Sequence, residues 1–147
     1  MATEKRNISL KIKKLVPTAV IPTRGTEKSV GLDLYSIKRY VIASNNIVAI
    51  ETGISLEIPK GYFGLIAERS GFSLANGLSL KAGVIDEDYR GEVKIIMQNS
   101  SDYPVTISSG SKIAQLLLLP AVYADIDEVD KLTDTDRGAA GFGSTGN

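Results

Sequence analysis

The chain of 147 residues contains no cysteine, no histidine and no tryptophan, and only three phenylalanines and two methionines. Without cysteine there is no disulfide framework, thiol nucleophile, iron–sulfur cluster or zinc finger. Without histidine there is no Ser-His-Asp triad, no imidazole base and no imidazole metal ligand. Acid–base chemistry is left to a carboxylate, a lysine or a tyrosine. Net charge is absent as well, 17 basic side chains balancing 17 acidic ones, whereas domains that grip long nucleic acids carry a basic excess. The densest apolar stretch, Ile113 to Val122, is far shorter than the roughly 20 residues that span a bilayer. Residues 1–14 are polar and basic and lack the apolar centre of a secretory leader. The expected setting is a soluble intracellular protein, cytoplasmic and/or nuclear, with no membrane and no nucleic-acid partner.

What the chain does have is a period of two. Val48, Ile50, Thr52, Ile54, Leu56 and Ile58 alternate with Ala49, Glu51, Gly53, Ser55 and Glu57, the pattern of a long half-buried strand. Shorter versions are Ile8-Leu10-Ile12, Phe63-Leu65-Ala67, Val93-Ile95-Met97 and Tyr103-Val105-Ile107, and Leu78 to Ile85 reads as one further strand. Turn residues separate them, at 22–25, 45–46, 59–61, 75–77, 99–102 and 108–110. Many short strands with regular turns predict an all-β sandwich or barrel. Helix is limited to one turn within 70–76, and the acidic stretch around Ile126, Val129 and Leu132 reads as a solvated connector. Residues 1–136 form a single domain in this reading. Residues 137–147, with four glycines and one aromatic, read as a mobile tail.

Four segments carry candidate chemistry. In the tail, Gly141 to Gly146 spells GxGxxG, but a dinucleotide site needs that motif between a strand and a helix. Only Asn147 follows it, so no Rossmann unit is expected. The same residues suit a lid over phosphate: glycine N–H groups, the Ser144 and Thr145 hydroxyls and the Arg137 guanidinium. Phe142 makes sense as a stacking platform for a base. Asp86, Glu87 and Asp88 lie in Gly83–Gly91 (GVIDEDYRG) at the shoulder of a hairpin. Three acids in a row are ordinarily a solvated turn, yet Asp86 follows Val84 and Ile85, which suggests partial burial and a base. In extended chain Asp86 and Asp88 share a face while Glu87 points away. Glu68-Arg69-Ser70-Gly71 ends a strand with a guanidinium, a hydroxyl and open backbone N–H groups, either a surface strand end or a phosphate contact. Asp33 sits between leucines in Gly31–Ser36 (GLDLYS), as the outward side of a strand would.

Together with Lys112–Leu116 (KIAQL), these segments occur in the order and spacing of five motifs of the trimeric dUTPase family, which the chain resembles over nearly its whole length. The resemblance implies a distorted jelly-roll β fold and a homotrimer with shared active sites. Motifs one, two and four would come from one chain, motif three from a second and the tail from a third. The implied reaction is hydrolysis of dUTP to dUMP and pyrophosphate with Mg2+ on the triphosphate, which keeps uracil out of DNA and supplies dUMP for dTTP synthesis. By the same resemblance Asp86 deprotonates the water that attacks the α-phosphorus, and Tyr89 packs on the deoxyribose and rejects a 2′-hydroxyl. Gly83, Val84, Ile85 and the backbone at Lys94 line a uracil pocket. Arg69, Ser70, Gly71 and Gln115 contact phosphates, and Asp33 holds Mg2+ through water. Phe142 stacks on uracil while Arg137, Gly143, Ser144 and Thr145 close over the triphosphate.

Three positions depart from the family pattern: Glu68 stands where proline is usual, Phe72 where leucine is, and Lys112 where arginine is. A dCTP deaminase would share the fold and nucleotide site, but Tyr89 and the complete tail favour dUTP. A binding protein that kept only the fold would need neither Asp86 nor Phe142.

Overall fold

The structure is a computed structural model that describes residues 8–72 and 77–143. Among the described residues there are eleven strands: β1 (Lys11–Lys14), β2 (Thr23–Arg24), β3 (Leu32–Tyr35), β4 (Tyr40–Ile42), β5 (Ile47–Glu57), β6 (Tyr62–Ala67), β7 (Leu78–Leu80), β8 (Val84–Ile85), β9 (Glu92–Asn99), β10 (Val105–Ile107) and β11 (Lys112–Pro120). They form a four-stranded sheet ordered β1-β5-β9-β7, a five-stranded sheet ordered β2-β3-β11-β6-β8, and the pair β10-β4. Every pairing is antiparallel. Helical residues among those described are confined to 70–72, the start of the turn expected over 70–76; residues 73–76 lie outside the described set.

The long alternating segment is β5. Its inward residues Ile50, Thr52, Ile54 and Leu56 meet the inward row Val93, Ile95 and Met97 of β9, all at most 3% exposed. Leu34, Ile107, Ile113 and Leu116 complete the centre of the core. At about 1.5–3 kcal/mol for each fully buried aliphatic side chain, this apolar seam is what holds the sandwich closed. Gly53 interrupts β5 with a left-handed φ of 69°, where the pairing with β9 skips a register. A Cβ there would come 2.8 Å from Cγ2 of Val16, so both the turn of the backbone and the space require glycine.

Two expectations are corrected. Leu78 to Ile85 is not one strand: β7 pairs with β9 in one sheet and β8 with β6 in the other. The chain crosses between the sheets in three residues, guided by Lys81 N–H on the Ile96 carbonyl (2.9 Å) and Ile66 N–H on the Gly83 carbonyl (2.6 Å). In β6 the deeply buried residues are Gly64 and Ile66, while Phe63, Leu65 and Ala67 are only half-buried. Gly64 leaves room for Leu116 and Ile58, whose side chains lie 3.1 and 3.2 Å from where its Cβ would be. The connector past β11 carries no regular structure, and Val122, Ile126 and Leu132 stand exposed on it. No helix among the described residues is long and apolar enough to cross a membrane.

Candidate active site

The crossover between sheets creates the clearest pocket. As β8 leaves to join β6 and β9 stays with β5, the gap between them is a cavity of about 280 Å3 lined by Gly83, Val84, Ile85, Asp86, Tyr89 and Lys94. Five motif-three residues and Lys94, expected around the base, the sugar and the attacking water, thus meet at one cavity. Sequence reasoning missed Ile66, Ala82, Glu92, Val93 and Ile96, which complete the wall. The signal was available for two of them: Glu92, Lys94 and Ile96 share the face of β9 opposite its buried row. Glycine is needed at 83, since a Cβ would sit 2.8 Å from the Ile66 carbonyl oxygen.

Tyr89 is held in place. Its hydroxyl donates to the Glu92 carbonyl at 2.9 Å, and its ring lies over Gly91, where a Cβ would fall 2.4 Å from Oη. Glu92 is itself fixed, its carboxylate accepting the Gly53 N–H at 2.9 Å. The chain reversal that brings Tyr89 back is closed by its N–H on the Asp86 carbonyl at 3.2 Å. Asp86 stands exposed at the mouth of the cavity in the single chain, not partly buried as the preceding Val84-Ile85 suggested. Ile85 is buried, but Val84 and Asp86 alternate onto the opposite face, where Val84 is 67% exposed. Glu87 does not point away from Asp86 and Asp88 as extended chain would have it, because residues 87–88 form a turn and all three acids line one hollow beside Tyr123. The Glu87 carboxylate accepts the Gly61 N–H and the Tyr123 hydroxyl there, each at 2.9 Å. These bonds, the one from Gly61 foremost, hold its carboxyl below the usual range. Glu87 is therefore a strut between the loop and the β5–β6 turn.

A second cluster lies across the ends of β3, β11 and β6. Asp33 and Gln115 are register partners, and Gln115 also faces Ala67, the residue that ends β6 two positions before Arg69. The side chain of Asp33 is 14% exposed, with Arg69 Nε 3.1 Å from Oδ1 and Lys112 Nζ 3.7 Å from Oδ2. Arg69 also donates to the Lys112 carbonyl at 3.3 Å. Gln115 Nε2 donates to the Glu68 carbonyl at 2.9 Å, and the missing side chain of Gly31 makes room for it, a Cβ there falling 2.0 Å from Gln115 Oε1. Arg69, Lys112 and Gln115 thus gather cationic and amide donors around one carboxylate, beside Ser70 and Gly71 where the helical turn starts.

Asp33 tests the fit of a divalent cation. The described residues contain no group of three or more acidic side chains that could cage a metal, and both Asp33 oxygens already face cations. A carboxylate has about four lone-pair sites, so Asp33 retains room to accept from metal-bound water, though not to build a direct ligand set.

In the tail, Arg137 folds back and donates from Nε to the Ala140 carbonyl at 2.8 Å. Phe142 carries a left-handed φ of 50° and its ring is fully exposed. Gly143 is also left-handed, φ 85°, while Ser144 and Thr145 lie outside the described residues. Among the described residues, none of Asp33, Arg69, Ser70, Gly71, Gln115, Arg137 or Phe142 lines the motif-three cavity.

Comparison with known proteins fits this geometry. The profile of the dUTPase family matches residues 18–146. A deoxyuridine 5'-triphosphate nucleotidohydrolase of Paramecium bursaria Chlorella virus 1 is 46% identical over 138 residues, covering 94% of this chain and 98% of the viral one. The dUTPase of Staphylococcus bacteriophage 80alpha, solved with dUPNHPP, superposes with a TM-score of 0.89 at 28% identity, over 95% of this chain and 99% of the other. A mutant dUTPase from phage phi11 of S. aureus, described with a structural Mg(II) ion, matches at TM-score 0.79 and 25% identity, over 84% and 98%. A family profile over residues 18–146 and a relative 46% identical across nearly all of both chains establish that the chain belongs to the dUTPase family.

Proposed function

We propose that the protein hydrolyses dUTP to dUMP and pyrophosphate. The observation that carries this reading is the single cavity on which Gly83, Val84, Ile85, Tyr89 and Lys94 converge, with Asp86 at its mouth. Backbone groups of Gly83–Ile85 and Lys94 read the uracil edge and reject a 5-methyl group. The Tyr89 ring, fixed by Glu92 and Gly91, lies flat on the deoxyribose and rejects a 2′-hydroxyl. Asp86 takes a proton from water as its oxygen bonds to the α-phosphorus, and the bond to the bridging oxygen breaks to release pyrophosphate. In a chain without histidine a carboxylate is a natural base. Of the two at this cavity Glu92 is engaged by the Gly53 N–H, while Asp86 stands exposed to water at the mouth. Catalysis beyond proton removal rests on positioning and on neutralising phosphate charge.

Arg69, Ser70, Gly71 and Gln115 hold the phosphates, and Asp33 orients Arg69 and reaches Mg2+ through its water. The ion rides mainly on the triphosphate, where it supplies charge neutralisation. Arg137, Phe142, Gly143, Ser144 and Thr145 close the tail, residues 137–147, over the bound nucleotide. Since the phosphate cluster and the cavity are separate on one chain, a homotrimer with active sites shared between chains accounts for both. In the cell this activity keeps uracil out of DNA and supplies dUMP for dTTP synthesis.

The test is incubation with dUTP, dCTP, dTTP and UTP plus Mg2+, following pyrophosphate and the product base. Pyrophosphate from dUTP alone is the expected result. Uracil products from dCTP would make the enzyme a deaminase, and inertness towards all four would leave only a binding role.

A further inference from the structure

Glu68 brings a carboxylate to the phosphate cluster, yet the structure turns that carboxylate away. Its Oε1 accepts the backbone N–H of Leu80 at 2.7 Å, while its carbonyl accepts Gln115 Nε2 at 2.9 Å. Leu80 ends β7, the edge strand of the four-stranded sheet. The next residue, Lys81, points its N–H inward to the Ile96 carbonyl. By the alternation of an antiparallel ladder, the Leu80 N–H points off the sheet edge. An edge N–H lacks a strand partner and needs another acceptor. Glu68 supplies one from the end of β6, in the opposite sheet. Arg69, the next residue, meanwhile pairs with Asp33, so the extra negative charge is spent on a backbone donor and not on the guanidinium.

We propose that Glu68 is a positioning residue, which fixes Arg69 and Gln115 for phosphate binding by clamping the end of β6 to Leu80. A proline at this position would stiffen the strand end through its fixed φ; here a hydrogen bond does so, and any acceptor of the same reach suffices. The clamp also ties the phosphate cluster to the segment that continues into Ala82 and Gly83 of the cavity wall. The proposal rests on the reading of Arg69 and Gln115 as phosphate contacts.

Steady-state kinetics on dUTP with Glu68→Ala, Glu68→Met and Glu68→Gln tests it, alongside Arg69→Ala and amide exchange at Leu80. Loss of one hydrogen bond to a charged acceptor at a half-open site is expected to raise KM about fivefold in the Ala and Met variants with kcat little changed. Glu68→Gln keeps the acceptor and stays near the parent value. Leu80 amide exchange accelerates in the Ala and Met variants only. Unchanged KM in Glu68→Ala, or equal impairment in Glu68→Gln, overturns the proposal, as does unchanged exchange at Leu80. If Arg69→Ala leaves KM unaltered, the reading of Arg69 as a phosphate contact fails instead, and Leu80 exchange alone decides the clamp. Should Glu68→Ala not fold, Glu68→Met, which preserves side-chain length, carries the comparison.

Discussion

Arg69 Nε lies 3.1 Å from Oδ1 of Asp33, joining the residue just past β6 to the middle of β3 across β11. With the Asp33 side chain mostly buried and Lys112 at its second oxygen, the carboxylate sets the direction in which Arg69 presents its remaining donors. Asp33→Ala is expected to raise the KM for dUTP about tenfold and to cost about 1–2 kcal/mol of stability, since it leaves two cations without their counter-charge. Kinetics and urea unfolding measure the two effects. A parental KM would mean that Arg69 needs no anchor.

Asp86→Asn removes the base and keeps the shape of the pocket mouth. Nucleotide affinity is expected to stay within about threefold of the parent while kcat falls by about a thousandfold, the range of general-base catalysis. Calorimetric titration with a non-hydrolysable dUTP analogue and single-turnover assays separate binding from chemistry. Turnover near the parental rate would remove Asp86 from the mechanism.

Gly31→Ala puts a methyl group 2.0 Å from Gln115 Oε1. The amide must swing away and give up the Glu68 carbonyl, so KM rises and the unfolding midpoint falls. Combining Gly31→Ala with Gln115→Ala removes the obstacle. The double variant is expected to be more stable than Gly31→Ala alone, a coupling that a double-mutant cycle reads directly. Strict additivity would contradict the steric account.

Mixing two proteins, one impaired in chemistry and one in phosphate binding, and assaying at dUTP well below the KM of the second, tests whether sites are shared. Asp86→Asn chains retain Arg69, and Arg69→Ala chains retain Asp86. In a cyclic trimer each mixed assembly regains one complete site, so random co-assembly restores roughly a quarter of parental activity. No recovery after subunit exchange would confine each site to one chain.

The strut at Glu87 has a pH signature. Its carboxyl is held below the ordinary value of 4.5, chiefly by the Gly61 N–H and then by the Tyr123 hydroxyl. A depressed acid stabilises the fold above its unfolded value, and that contribution disappears as pH falls below 4.5 through the folded value. The stability advantage of the parent over Glu87→Gln is expected to be present at about pH 7 and to shrink towards about pH 3. An advantage that grows on acidification would reverse the assignment.

Local pattern carried much of this molecule. The alternation along β5 and β9 marked the core seam because each of those strands buries one face, and residues 83–91 marked the cavity because five of its lining residues lie in that short contiguous run. What escaped the sequence depends on long-range pairing. Leu78 to Ile85 alternates smoothly enough for one strand, and nothing local says that Gly83 will bond Ile66 in the other sheet. Phe63, Leu65 and Ala67 looked like the core row of β6, because the small Gly64 hides which face the neighbouring leucine fills. The contact of Glu68 with Leu80 spans two sheets and has no local signature.

The crossover at Lys81–Gly83 has a wider consequence. The cavity is the opening left where one strand leaves for the opposite layer, so its walls come from both sheets, Ile66 and Ile85 from one and Val93, Lys94 and Ile96 from the other. Under the proposed function, the fit to a small pyrimidine then depends on both layers at once. Parting the layers to widen the cavity would open the core in which Ile50, Ile95 and Met97 of one sheet cluster with Leu34, Ile113 and Leu116 of the other, so a change of specificity made that way would lower stability.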